Sequence, residues 1–207
     1  SNNSNTANDV STITIASGGT LDLNYSGTDR VKKLIINGLE QPSGVYGPSA
    51  TNIAQITGTG TLTVGAPEIV VEDDMGANIA SNDSKDYGTV GLGLEKSLTF
   101  TLRNTGLGDL FLTGEPLVAI DGAHKDEFTV TPQPSASIAG AGTTTFTVQF
   151  APAAVGTRSA ALTIANNDSD EGSYVINLTG TSLLPPNIAV EQPANTGIAS
   201  GGSKDFG

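Results

Sequence analysis

The chain has no cysteine and no tryptophan, one methionine, one histidine, and nine lysine and arginine residues against 21 acidic ones. Each shortage removes a class of function. Without cysteine there is no disulfide and no thiolate metal site, so stability has to come from apolar burial and backbone pairing, in either redox compartment. Without tryptophan, the rings on which a sugar could stack are reduced to four tyrosines and six phenylalanines. The formal net charge of −12 repels phosphate backbones and anionic lipid surfaces, which argues against nucleic acid as a partner. No signal peptide or transmembrane run is found, and no membrane insertion is expected of this stretch. There is no initiator methionine, and the sequence stops at Phe206-Gly207, so both ends are expected to be cuts through a longer protein.

What the chain does have is self-similarity. Pro67 to Gly88 returns without a gap as Pro186 to Gly207, with 11 identities in 22 aligned positions. The shared phrases are Pro-x-Ile-x-Val-Glu at the start and Ile-Ala-Ser-x-x-Ser-Lys-Asp-aromatic-Gly at the end. A period of this length indicates tandem modules of immunoglobulin size, each long enough to bury its own core. The expected division is a flexible lead-in over 1–10, a small β segment over 11–65, one complete module over 67–182, and the truncated start of a second over 186–207.

Within 11–65, apolar residues alternate with polar ones at Ile13 and Ile15, Leu21 and Leu23, and Leu34 and Ile36, the period of a half-buried strand. Asn37-Gly38 is the preferred pair for a two-residue hairpin turn. Gly19-Thr20-Leu21-Asp22-Leu23 is echoed by Gly60-Thr61-Leu62-Thr63-Val64. About 55 residues is close to the lower limit for an independent core, so this segment is expected to be the end of something larger.

From Pro67 onward the alternation is stronger. Leu98, Phe100 and Leu102 are expected inward, with Thr99, Thr101 and Arg103 outward. Phe146, Val148 and Phe150 mark the cleanest strand; Leu162 with Ile164 and Ile176 with Leu178 mark two more. Seven or eight short strands with frequent turn signals and no helical period predict an all-β, two-sheet Ig-like sandwich.

Several phrases carry a resemblance: Ile69-Val70-Val71-Glu72, Asp86-Tyr87-Gly88-Thr89-Val90, Leu98 to Gly106, Thr145 to Pro152, and Leu162 to Asp168. Together they resemble a choice-of-anchor D domain, the bacterial relative of Hydin-like Ig-like domains, over Pro67 to Ser182. The segment from Ser11 to Val64 resembles the closing unit of autotransporter-associated β-strand repeat proteins, a β-helix-like region. These resemblances imply a module of large secreted or surface-anchored bacterial proteins, acting as a spacer or interaction unit, and supply no catalytic residues to carry over.

The chemistry-bearing residues are few. His124 lies in the polar loop Asp121 to Glu127 and has no Gly-x-Ser-x-Gly nucleophile elbow to serve, so a solvated loop role is favoured over catalysis. Asn166 to Glu171 gathers amides and carboxylates of the kind a hard cation takes. Asn167, Asp168, Asp170 and Glu171 are the candidate calcium ligands, although the spacing is not that of an EF-hand and a metal-free polar turn is the simpler reading. Glu72-Asp73-Asp74 is the weaker acidic candidate, because the second copy reads Glu191-Gln192-Pro193; a solvated loop is expected. Tyr25 and Tyr46 are candidate sugar-stacking rings, weighed against packing.

The expectation is a non-catalytic spacer without cofactors, outside a bacterial cell or on its surface. Neighbouring Ig-like repeats are its first partners, and a role in adhesion or surface display follows from the resemblance. A glycan- or protein-binding module, or an accessory segment of a large extracellular hydrolase, are the alternatives.

Overall fold

The computed structural model describes residues 11–47, 53–186, 191–192, 196–197 and 201–202. The expected lead-in over 1–10 and most of 186–207 lie outside these residues. The regular secondary structure of the described residues is nearly all strand, and their buried side chains form two separate apolar cores.

The first core belongs to a small parallel coil. Strands β1 (Thr12–Ile15), β2 (Leu21–Leu23) and β3 (Thr28–Val31) make one circuit. Strands β4 (Lys33–Ile36), β7 (Ile56–Gly58) and β8 (Thr61–Val64) make a second, stacked in parallel register on the first: β1 on β4, β2 on β7, β3 on β8. Between β4 and β7 the chain inserts β5 (Leu39–Glu40) and β6 (Gly44–Tyr46). Stacking brings like residues together, with Ile15 over Ile36 and Val31 over Val64, all four buried. The Asn37-Gly38 turn forms as the sequence predicts, with φ of 54° and 80° and Ile36 facing Leu39. The Gly-Thr-Leu echo does not report a pairing: Thr61–Val64 stacks on Thr28–Val31, while Leu21 faces Ile56.

The second core is sealed by two four-stranded sheets. One has the order β14 (Phe128–Val130), β16 (Thr143–Phe150), β11 (Lys96–Asn104), β9 (Ile69–Glu72); the other has β10 (Ser84–Gly91), β18 (Ser173–Leu183), β17 (Gly156–Ala165), β13 (Ala119–Asp121). A short pair, β12 (Leu110–Phe111) with β15 (Ser137–Ile138), sits beside them. One turn of 3-10 helix at Lys125–Glu127 leads into β14. The β-sandwich expected from the strand period is therefore present, with every inward residue named above buried.

The register explains why period two is enough to specify this core. On β11 and β16, Phe100 faces Phe146 with the rings stacked at 5.2 Å, while on the outer face the Thr99 and Thr147 hydroxyls meet at 3.1 Å. Phe150 stacks on Phe128 at 4.7 Å, and Tyr87 arrives edge-on from the opposite sheet, 5.6 Å from both rings. Tyr87 is fully buried, and its hydroxyl donates to the Val148 carbonyl at 3.0 Å, so one side chain joins the two sheets by packing and by a hydrogen bond. Across the same ring lies Gly180 on β18, where a Cβ would stand 2.4 Å from Phe150 Cε1; no larger residue fits unless the ring moves.

Candidate functional site

The chain passes from coil to sandwich through Gly65-Ala66-Pro67-Glu68, and this connection is held tightly. Asn104, fully buried at the end of β11, accepts hydrogen bonds at Oδ1 from the amides of Glu68 and Gly106, both at 3.1 Å. Its Nδ2 donates to the carbonyls of Gly108 at 2.7 Å and Ile138 at 3.0 Å. The Thr105 amide donates to the Glu68 carbonyl at 2.8 Å. Gly106 lies so close that a Cβ there would be 2.3 Å from the Ala66 carbonyl oxygen. A second tie comes from charge: Lys32 of the coil meets Asp109 of the sandwich at 2.7 Å, and Lys33 meets it at 3.6 Å. Between the two bodies runs a cleft of about 390 Å³, lined in part by Lys32, Lys33, Glu40, Asp109, Phe111 and Asn167.

The same connection delivers Glu68 to the loop between β17 and β18. Glu68, Asp168, Asp170 and Glu171 each offer a carboxylate oxygen, and these oxygens all lie within 4.8 Å of one another. The loop is shaped by Asn166, which donates from Nδ2 to the Ile164 carbonyl at 3.1 Å and the Glu171 carbonyl at 2.8 Å, and accepts from the Asp168 amide at 2.8 Å. Asp168 is 4% exposed; its Oδ2 accepts from the Ile69 amide at 2.8 Å, while its Oδ1 is buried with no hydrogen-bond partner among the described residues. Glu171 Oε2 is in the same condition. Burial first, and then the charges of Asp168 and Asp170, push the Glu68 carboxyl above its ordinary value. Glu171 is pushed up likewise, by burial and then by Asp170, Asp168 and Glu68.

Three of the four residues singled out in the sequence thus come together, and the fourth does not. Asn167 turns away: its Oδ1 accepts from the Phe111 amide at 2.7 Å and its Nδ2 donates to the Asp109 carbonyl at 3.1 Å, tying the loop to β12. Its place is taken by Glu68, 99 residues earlier, which no local motif could reveal. The nearest signal is positional, since Glu68 directly precedes the recurrent Ile-x-Val-Glu phrase and the second copy carries another oxygen donor there, Asn187.

The other acidic group has its own counter-ions. Glu72 accepts two bonds from Arg103, both at 3.0 Å, and Lys85 lies 2.8 Å from both Asp73 and Asp74. Lys85, helped by the amides of Ala77 and Met75, holds the Asp73 carboxyl down to about 2. These three acids form a paired turn rather than a freely solvated loop. His124 directly precedes the 3-10 turn without a side-chain bond to it, and its Nδ1 instead accepts from the Ser159 amide at 3.0 Å, which ties the loop to β17. Tyr46 is buried with its hydroxyl donating to the Pro42 carbonyl, and Tyr25 is half-buried with its hydroxyl donating to the Thr61 carbonyl.

With the fold and these groups in place, the class is that of an Ig-like β-sandwich module. Residues 78–181, half of the chain, match the HYDIN/CFA65/VesB-like, Ig-like domain, and the chain belongs to that family. Among solved structures it is similar to the ASH/PapD-like domain of human CEP192 (PapD-like domain 7), at 15% identity and a TM-score of 0.40, over 57% of this chain and 87% of that one. It is also similar to the VesB protease of Vibrio cholerae, at 14% identity and a TM-score of 0.37, over 50% of this chain and 31% of that one. No curated protein matches the chain. No helix among the described residues is long and apolar enough to cross a membrane.

Proposed function

We propose that the chain is a non-catalytic spacer of a large bacterial secreted or cell-surface protein, in which a β-helix-like segment over 11–65 hands over directly to an Ig-like module over 67–182. The observation that carries this reading is the locked connection at Gly65 to Glu68. A hinge between independent modules would be a polar linker with few crossing contacts; here one buried asparagine, a glycine in van der Waals contact and a lysine–aspartate pair fix the angle. At the far end of the sandwich, Leu94, Leu183 and Leu184 stand exposed where the end of β10 meets the end of β18, next to the start of the second copy at Pro186. Burial of such a patch against the next repeat is the ordinary way tandem modules stack. The choice-of-anchor D resemblance, the repeat and the acidic composition support a place outside the cell, in surface display or adhesion.

The absence of cysteine makes the test direct. Spin labels on Ser17→Cys in the coil and Thr157→Cys in the sandwich, both exposed sites, report the distance between the two bodies by pulsed electron resonance. A rigid spacer gives one narrow distance distribution, and Asn104→Ala broadens it. A broad distribution in the parent protein would refute the reading.

A further inference from the structure

We propose that Glu68, Asp168, Asp170 and Glu171 form a calcium-binding site that clips the first strand of the sandwich to the loop joining β17 and β18. The donor set is hard oxygen only, which selects calcium or magnesium rather than a softer metal. Calcium takes its oxygens at about 2.3–2.6 Å, so two opposed ligands stand about 5 Å apart. Four carboxylate oxygens within 4.8 Å of one another satisfy that limit.

Acidic surfaces are common, and proximity alone would not make a site. The second observation is the state of Asp168. Its carboxylate is 4% exposed, one oxygen is spent on the Ile69 amide, and Oδ1 has no donor among the described residues. A buried, half-satisfied carboxylate is costly unless something positive completes it. Elsewhere the chain supplies that partner: Arg103 for Glu72, Lys85 for Asp73 and Asp74, Lys32 for Asp109, Arg158 for Glu127. Among the described residues, no lysine or arginine forms an ion pair with any of the four clustered acids. The loop is already shaped by Asn166, so binding requires little ordering.

The position gives the cation something to do. Glu68 immediately precedes β9 of one sheet, and the other three ligands lie between β17 and β18 of the second sheet, so a bound ion bridges the two layers at the end that faces the coil. This inference rests on the acid cluster alone and does not depend on the spacer reading.

The test is calorimetric titration of the 207-residue chain, stripped with a chelator, against calcium chloride and separately against magnesium chloride, alongside thermal unfolding with and without 10 mM calcium. One calcium per chain, sub-millimolar affinity, weaker magnesium binding and a rise of several degrees in Tm are expected. Asp168→Asn keeps the acceptor for the Ile69 amide and should weaken calcium at least about tenfold. Glu68→Gln and Glu171→Gln, nearer the surface, should each weaken it even if Asp168→Asn fails to fold, and Asp126→Asn on the distant 3-10 turn should leave it unchanged. No heat and no Tm shift at 10 mM calcium would overturn the proposal. So would magnesium binding as tightly as calcium, or an affinity indifferent to Glu68→Gln and Glu171→Gln.

Discussion

The contact between Gly180 and the Phe150 ring offers a test in which two substitutions, each destabilising alone, should relieve one another. Phe150 is fully buried between Phe128, Tyr87 and the β18 backbone, so Phe150→Ala removes a ring from a packed core and leaves a cavity, at a cost of about 3–5 kcal/mol. Gly180→Ala pushes a methyl to within 2.4 Å of that ring, and overpacking of this kind costs about 1–3 kcal/mol. The backbone at Gly180 is not in the left-handed region, so alanine itself is tolerated there and even gains roughly 0.4–1 kcal/mol from the stiffer unfolded chain. In the Phe150→Ala background the steric obstacle is gone. Gly180→Ala should then be neutral or stabilising, and the cycle should close with a coupling of about 1–3 kcal/mol in favour of the double variant. Urea titration of the four proteins, read by circular dichroism with m-values compared, measures it. Additivity within about 0.5 kcal/mol would show that the two groups do not meet as described.

Two further outcomes follow from groups already described. Tyr87→Phe keeps the ring in the aromatic cluster but leaves the Val148 carbonyl without its cross-sheet donor, and should cost about 1–2 kcal/mol by the same titration; a change under about 0.3 kcal/mol would deny the hydrogen bond its role. The Asp73 carboxyl is held at about 2 in the folded protein against 3.8 as its ordinary value, so its contribution is complete above about pH 5 and is lost as pH falls towards 2. Stability measured between pH 5 and 2 should therefore fall less steeply in Asp73→Asn than in the parent, and parallel curves would contradict the Lys85 pairing.

The sandwich was legible because a sheet covered on one side writes its burial into alternate residues. Leu98, Phe100 and Leu102, or Phe146, Val148 and Phe150, can face inward only in one register. Pairing between distant strands leaves no such trace. Period two announces β1 to β4, yet nothing local says that they stack in parallel circuits, and the Gly-Thr-Leu echo suggests a correspondence that the register does not follow. Asn104 reads as an ordinary turn residue; its burial and its four hydrogen bonds depend on where residues 68, 106, 108 and 138 meet in space. The acid cluster was half visible for the same reason. Asp168, Asp170 and Glu171 are neighbours in sequence, whereas Glu68 joins them only through the path of the chain across the end of the sandwich.

Strand β10 lies beside β18 in parallel, from Ser84 opposite Asn177 to Gly91 opposite Leu183, with one irregularity between Asp86 and Thr89. A pull on the early end of β10 and the late end of β18 draws these neighbours lengthwise past each other. The rungs between them then bear the load together instead of opening one at a time like a zipper, so this edge resists lengthwise separation of its two strands far better than peeling.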